Sequence, residues 1–192
     1  MIIVDDLNRA FNAIIFGIKT ETFRIMSFKE AIAFYYKYSL LPLILLIIMS
    51  YVLTGSILSV IPGFSGSSGV VIASLILVWI AVPLLMLIQT ALIYVVGIIF
   101  KFFKNDLPKT FAAVTYGTIP LVLLLWLTSI PIYGKFILVA IEIWSFIILV
   151  IALSEQHEIG ILKALVSAII ANIIISLLFY GALSLMLPHI RL

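Results

Sequence analysis

The sequence predicts an all-α, polytopic membrane helix bundle, and three observations predict it. Of 192 residues, 65% are hydrophobic and 10% charged, whereas soluble domains carry about a quarter charged residues. The charges also cut the chain into pieces of interpretable length: 63 uncharged residues from Tyr38 to Phe100, 25 from Thr110 to Gly134 and 25 from Ala164 to Pro188, with Phe136 to Leu153 broken only by Glu142. An apolar helix of about 20 residues crosses the hydrocarbon, so the first piece holds two spans and the others one each. Finally, the basic residues are lopsided. Five spans would place Arg9, Lys19, Arg24, Lys29, Lys37, Lys101, Lys104, Lys109 and Lys163 on one side and leave Lys135 and Arg191 on the other. The positive-inside rule then gives a cytoplasmic N terminus and an external C terminus.

Two regions follow: a cytoplasmic amphipathic segment, 1–27, and a five-span membrane domain, 28–192. The spans are expected at about 36–54, 70–100, 110–129, 134–153 and 163–187. The absence of cysteine excludes disulfides, thiolate metal sites and a thiol nucleophile. No secretory signal is expected here, because the first 37 residues mix basic and acidic groups. The net charge of +3 needs no nucleic-acid partner, since the basic residues flank the spans.

In the N-terminal segment, Leu7, Phe11, Ile14, Ile15 and Ile18 share one face at helical spacing, and Asp5 is placed to cap. The spacing predicts an interfacial helix lying in the membrane surface or docked on the bundle. Ser27-Phe28-Lys29-Glu30 fits a capping box and predicts a helix starting at Phe28. Phe34, Tyr35, Tyr36 and Tyr38 around Lys37 suit the headgroup level, and Pro42 predicts a kink supported by a neighbouring helix. From Thr54 to Gly69, four Gly, five Ser and one Pro predict an irregular external loop.

Val70 to Phe103 would run about 50 Å as one straight helix, more than a hydrocarbon core of about 30 Å. A bend at Pro83 and a flexible, protruding end near Gly97 are expected, with Gln89 packed against protein. Asp106 followed by Pro108 is a start signal for the third span. Within that span Thr115, Tyr116, Gly117, Thr118 and Pro120 form a polar, flexible patch. Two readings stand side by side: small residues and hydroxyls at a helix contact, or an unwound binding segment.

Asp106 to Pro120 with Tyr116 four residues before the proline, then Ile143-Trp144-Ser145, then His157, Ile159 and Lys163-Ala164, resembles the Yip domain family of multi-span membrane proteins. The likeness covers about residues 20 to 180 in hydropathy, and its motifs lie in 106 to 165. It implies five spans with a cytoplasmic N terminus, no catalytic activity and, in eukaryotes, vesicle traffic in Golgi and ER membranes with prenylated Rab-type GTPases. Where that family carries Asp-Leu-Tyr-Gly-Pro this chain reads Tyr38-Ser39-Leu40-Leu41-Pro42, and the long polar N-terminal tail is missing. The departures weaken the expectation of a Rab partner and point to a prokaryotic-type member in the cell membrane.

Glu142 stands about 10 Å below the boundary at Lys135. A carboxylate at mid-span costs about 2.5 to 3.5 kcal/mol on insertion scales, so it is expected to face the bundle, as interhelical glue to Tyr51, Trp79, Thr128 or Ser176, or as a proton or cation site. Asn172, near mid-depth in the last span, is expected to bond Ser145 or a carbonyl freed by Pro120. His157-Glu158 lacks the second histidine of a zinc protease, because position 161 is Ile. No phosphate loop or nucleophile elbow occurs, so neither an enzyme nor a cofactor is expected. The candidate functional or interhelical polar positions are Glu142, Tyr116, Pro120, Trp144, Asn172 and His157. The expected role is a membrane scaffold or interaction protein whose partners are the lipid bilayer, further copies or other membrane proteins. The rival is a small-solute or ion transporter built around Glu142.

Overall fold

The structure is a computed structural model that describes residues 26–54, 68–104, 106–130 and 132–186. The amphipathic segment expected over 7–18 and the loop expected over 54–69 lie largely or wholly outside those residues. Among them the fold is all helical: α1 Phe28–Thr54, α2 Ser68–Ile99, α3 Leu107–Leu124 continued by a 3-10 segment Leu125–Ser129, α4 Gly134–Gln156 and α5 Ile161–Met186. Five stretches are long and apolar enough to cross a membrane: Phe28–Met49, Ile76–Ile99, Leu107–Ser129, Gly134–Gln156 and Ile161–Leu178. The expected spans overlap these helices, and α1 and α3 begin at the start signals Ser27–Glu30 and Asp106–Pro108, ahead of the apolar runs.

Those caps explain the boundaries. The backbone N–H of Ser27 donates to the Glu30 carboxylate at 2.9 Å and the N–H of Glu30 donates to Ser27 Oγ at 3.3 Å, the reciprocal capping box. Asp106 occupies the cap of α3 but makes no side-chain cap bond; its carboxylate pairs with Lys109 at 3.3 Å, one turn on. The ends of α2 and α4 share a different device. Phe102 N–H donates to the Gly97 carbonyl and Lys101 N–H to that of Ile98, while Ile159 N–H donates to the Ser154 carbonyl and Glu158 N–H to that of Glu155. Both are Schellman closures with the left-handed position held by Lys101, φ 56°, and Glu158, φ 53°, where glycine is usual.

Gly97 therefore does something other than soften a protruding end. The chain doubles back over it, and a Cβ there would lie 2.1 Å from the Phe103 ring. Only a bare backbone lets that ring seat itself on α2.

At the centre is α3, whose residues Thr110 to Gly117, Ile119 and Pro120 are buried. It packs along α4 and against α1 and α2, and α5 closes the bundle against α2 and α4. The approach of α3 to α4 is set by Gly117, where a Cβ would stand 2.7 Å from Leu149 Cβ and 3.1 Å from its Cα. Small residues permit such backbone proximity where packing rather than water drives association.

The join between α1 and α2 is polar. Pro83 has no N–H to give the carbonyl of Trp79 one turn earlier; the Tyr35 hydroxyl donates to that carbonyl at 3.0 Å instead. Trp79 Nε1 donates back to Ser39 Oγ at 2.6 Å, and Tyr36 donates to the Ile80 carbonyl at 3.3 Å. Two tyrosines placed by the sequence in an aromatic belt thus satisfy backbone at a proline site.

Candidate functional site

Midway along the helices, α2, α3, α4 and α5 leave a cleft of about 450 Å³. Its polar lining is Gln89 from α2, Thr118 from α3, Glu142 and Ser145 from α4, and Asn172 and Ser176 from α5. At about 1.5 Å per residue, Gln89, Gly117 and Asn172 each stand about 15 to 17 Å from the helix end that bears Lys101, Lys109 or Lys163. Glu142 is about 12 Å from the opposite end of α4. Val114, Leu121, Phe146, Leu149 and Ile175 supply the apolar wall.

The bonding inside the cleft is incomplete in an informative way. Gln89 Nε2 donates to Asn172 Oδ1 at 3.3 Å and ties α2 to α5. Ser176 and Thr118 turn their hydroxyl protons back to the Asn172 and Val114 carbonyls of their own helices, leaving oxygen lone pairs. Ser145 Oγ is buried without a hydrogen-bond partner. Among the described residues, Glu142 has no hydrogen bond or ion pair; it is an exposed side chain of α4 that lines the cleft.

These findings correct several expectations. Glu142 does not bond Trp79 or Thr128, whose own bonds go to Ser39 and the Leu125 carbonyl. The Tyr51 side chain lies outside the described residues, and Ser176 shares the cleft but bonds its own helix. Asn172 accepts from Gln89 rather than meeting Ser145 or a carbonyl near Pro120. The segment Thr115 to Pro120 is helical throughout, with Thr115 and Thr118 bonding the Phe111 and Val114 carbonyls four residues back. The segment is not unwound, and both hydroxyls are taken up by carbonyls of their own helix.

The remaining candidates separate. Tyr116 and Pro120 are buried in α3, and Trp144, 40% exposed, stays away from the cleft lining. His157 lies at the α4–α5 turn, 5% exposed, where Thr110 Oγ1 lies 2.9 Å from its Nε2 and the Phe103 ring stacks on it at 4.0 Å and 6°. It fastens the α2–α3 connection, the start of α3 and the turn after α4. Burial pushes its imidazole down from 6.5 to about 4; Asp106 acts to raise it and Lys109 to lower it further.

Sequence reasoning missed Gln89 as a site residue, since a lone amide in an apolar helix signals only packing; its neighbour in space, Asn172, is 83 residues away. Among the described residues, no three His, Cys, Asp or Glu side chains gather as metal ligands. No protein-family model, curated protein or solved structure matches the chain.

Proposed function

We propose that the chain is a non-enzymatic, multi-pass integral membrane protein with its N terminus in the cytoplasm, and that the cleft binds a small polar or charged solute for passage across the bilayer. The observation that carries this reading is Glu142: a carboxylate midway along an apolar helix with no partner among the described residues, set in a cleft with Gln89, Ser145 and Asn172. Placing a charged side chain in the hydrocarbon costs about 2.5 to 3.5 kcal/mol, and interhelical glue would offset that by a bond to a neighbouring helix. No such bond is present among the described residues, so the offset falls to what enters the cleft. Uptake of a panel of ions and small solutes into liposomes bearing the protein tests it: uptake by the wild type that Glu142→Gln abolishes supports a solute path, and no uptake across the panel counts against it.

The scaffold reading, in line with the resemblance to the Yip domain family, is favoured by the continuity of α3. Many transporters bind their substrates at discontinuous helices, whereas Thr115 to Pro120 is unbroken. A scaffold would self-associate or co-purify with other membrane proteins irrespective of Glu142.

A further inference from the structure

We infer that the ligand of the cleft is an organic cation, a protonated amine carrying an apolar body. The inference rests on the reading above that the cleft binds a solute, and it names the chemistry of that solute. Among the described residues the lining contains one acidic side chain, Glu142, and no Lys, Arg or His. An anionic group would meet that carboxylate with no cation to offset it, which also disfavours a zwitterion.

The hydrogen-bonding inventory points the same way. Glu142 offers only acceptors when ionised. Because Gln89 gives its amide nitrogen to Asn172, its Oε1 is left for a donor. Thr118 and Ser176 have already spent their protons on backbone carbonyls, so toward the cleft their hydroxyls accept. Ser145 Oγ is buried, unpaired and able to do either. An ammonium group brings three donors and no acceptor, matching a wall dominated by acceptors. The Asn172 amide nitrogen and the second N–H of Gln89 Nε2 are the donor exceptions.

Size separates an organic from an inorganic cation. About 450 Å³ falls in the range of about 300 to 1,000 Å³ that small-molecule sites occupy. The rest of the wall, Val114, Leu121, Leu149, Ile175 and the Phe146 ring, is apolar. Dehydrated potassium would leave that volume and that wall unused. An alkyl or aryl ammonium would lay its chain on the apolar residues and its charge against Glu142, with Phe146 able to add a ring-to-cation attraction.

Calorimetric titration of the full chain in nanodiscs, with empty discs subtracted, tests this with hexylammonium, hexanol, hexanoate and potassium chloride as probes. Hexylammonium is expected to bind saturably and the other three not. Glu142→Gln should weaken hexylammonium at least tenfold, whereas Glu142→Asp should keep most of the affinity. Gln89→Leu, which leaves the carboxylate in place, should weaken it less. Unchanged melting temperatures establish that each variant is folded. Saturable binding of hexanol or hexanoate, or binding that survives Glu142→Gln, overturns the cation inference and leaves the solute cleft standing. Potassium binding in place of hexylammonium overturns the organic ligand alone. No saturable binding of any probe counts against both readings.

Discussion

Acidification should loosen this bundle through one side chain, His157. In the unfolded chain an imidazole takes its proton near 6.5, and in the fold burial holds that step down to about 4. Between those values the unfolded chain binds more protons than the folded one, so stability falls as the pH falls. The contribution is fully present above about pH 6.5, declines through the interval and is exhausted below about pH 4. At about 1.4 kcal/mol for each pH unit, the loss is on the order of 3 kcal/mol. The origin is geometric: the protonated ring would be a charge at a site 5% exposed, stacked on Phe103 at 4.0 Å. The Thr110 hydroxyl 2.9 Å from Nε2 must donate there if Nδ1 carries the ring proton, and a doubly protonated ring has no lone pair to accept. The assay is unfolding in mixed micelles at intervals from pH 7.5 to 4, with wild type compared against His157→Gln, which keeps a side chain able to bond Thr110 but cannot titrate. The wild-type curve should fall away from the variant by about 3 kcal/mol over the interval. Parallel curves would refute the reasoning, because Asp106, Lys109 and every other titrating group are common to both proteins.

Three further outcomes are expected. Tyr35→Phe should cost about 1 kcal/mol in the same unfolding assay, since it strips the hydroxyl donor from the Trp79 carbonyl that Pro83 leaves open; restoring an N–H with Pro83→Ala in that background should recover part of the loss. Glu158→Gly should stabilise by about 1 kcal/mol, because Glu158 sits at φ 53°, in the left-handed region that costs non-glycine residues about 1 to 2 kcal/mol; an unchanged midpoint would count against the strain. For topology, Tyr133→Cys, on the turn before α4, should react with a membrane-impermeant maleimide on intact cells and Lys104→Cys should not, a clean comparison in a chain without native cysteine. The reverse pattern would invert the orientation.

How much of this was legible in the sequence depends on the range over which each cause acts. The five helices were readable because hydropathy over about 20 residues is a property of the chain itself, and the start at Phe28 because Ser27 and Glu30 are three residues apart. The stops of α2 and α4, expected near 100 and 153, fall at Ile99 and Gln156, but the way each helix closes was hidden, since Lys101 and Glu158 stand where a helix-stop signal would show glycine. Glu142 and Asn172 could be singled out as polar residues in apolar helices, yet nothing local shows that Gln89 reaches Asn172 or that Glu142 bonds none of the described residues. Likewise Pro83 announced a missing bond, but its remedy, Tyr35, lies on another helix 44 residues from the carbonyl it serves. Local caps are written in adjacent residues, whereas a cleft is written in the spacing of four helices.

If the Glu142 carboxylate is kept for a ligand and not for the fold, the unfolding free energy of Glu142→Leu in mixed micelles is where that shows. A carboxylate that bonds none of the described residues and is exposed along an apolar helix is one whose loss should leave the protein as stable as wild type, or more stable by up to about 2 kcal/mol, the usual direction when a binding residue is replaced by an apolar one. Equal or raised stability is therefore the predicted result. If Glu142 instead glued α4 to another helix, leucine would strand the partner, and a loss of about 1 kcal/mol or more would contradict the account.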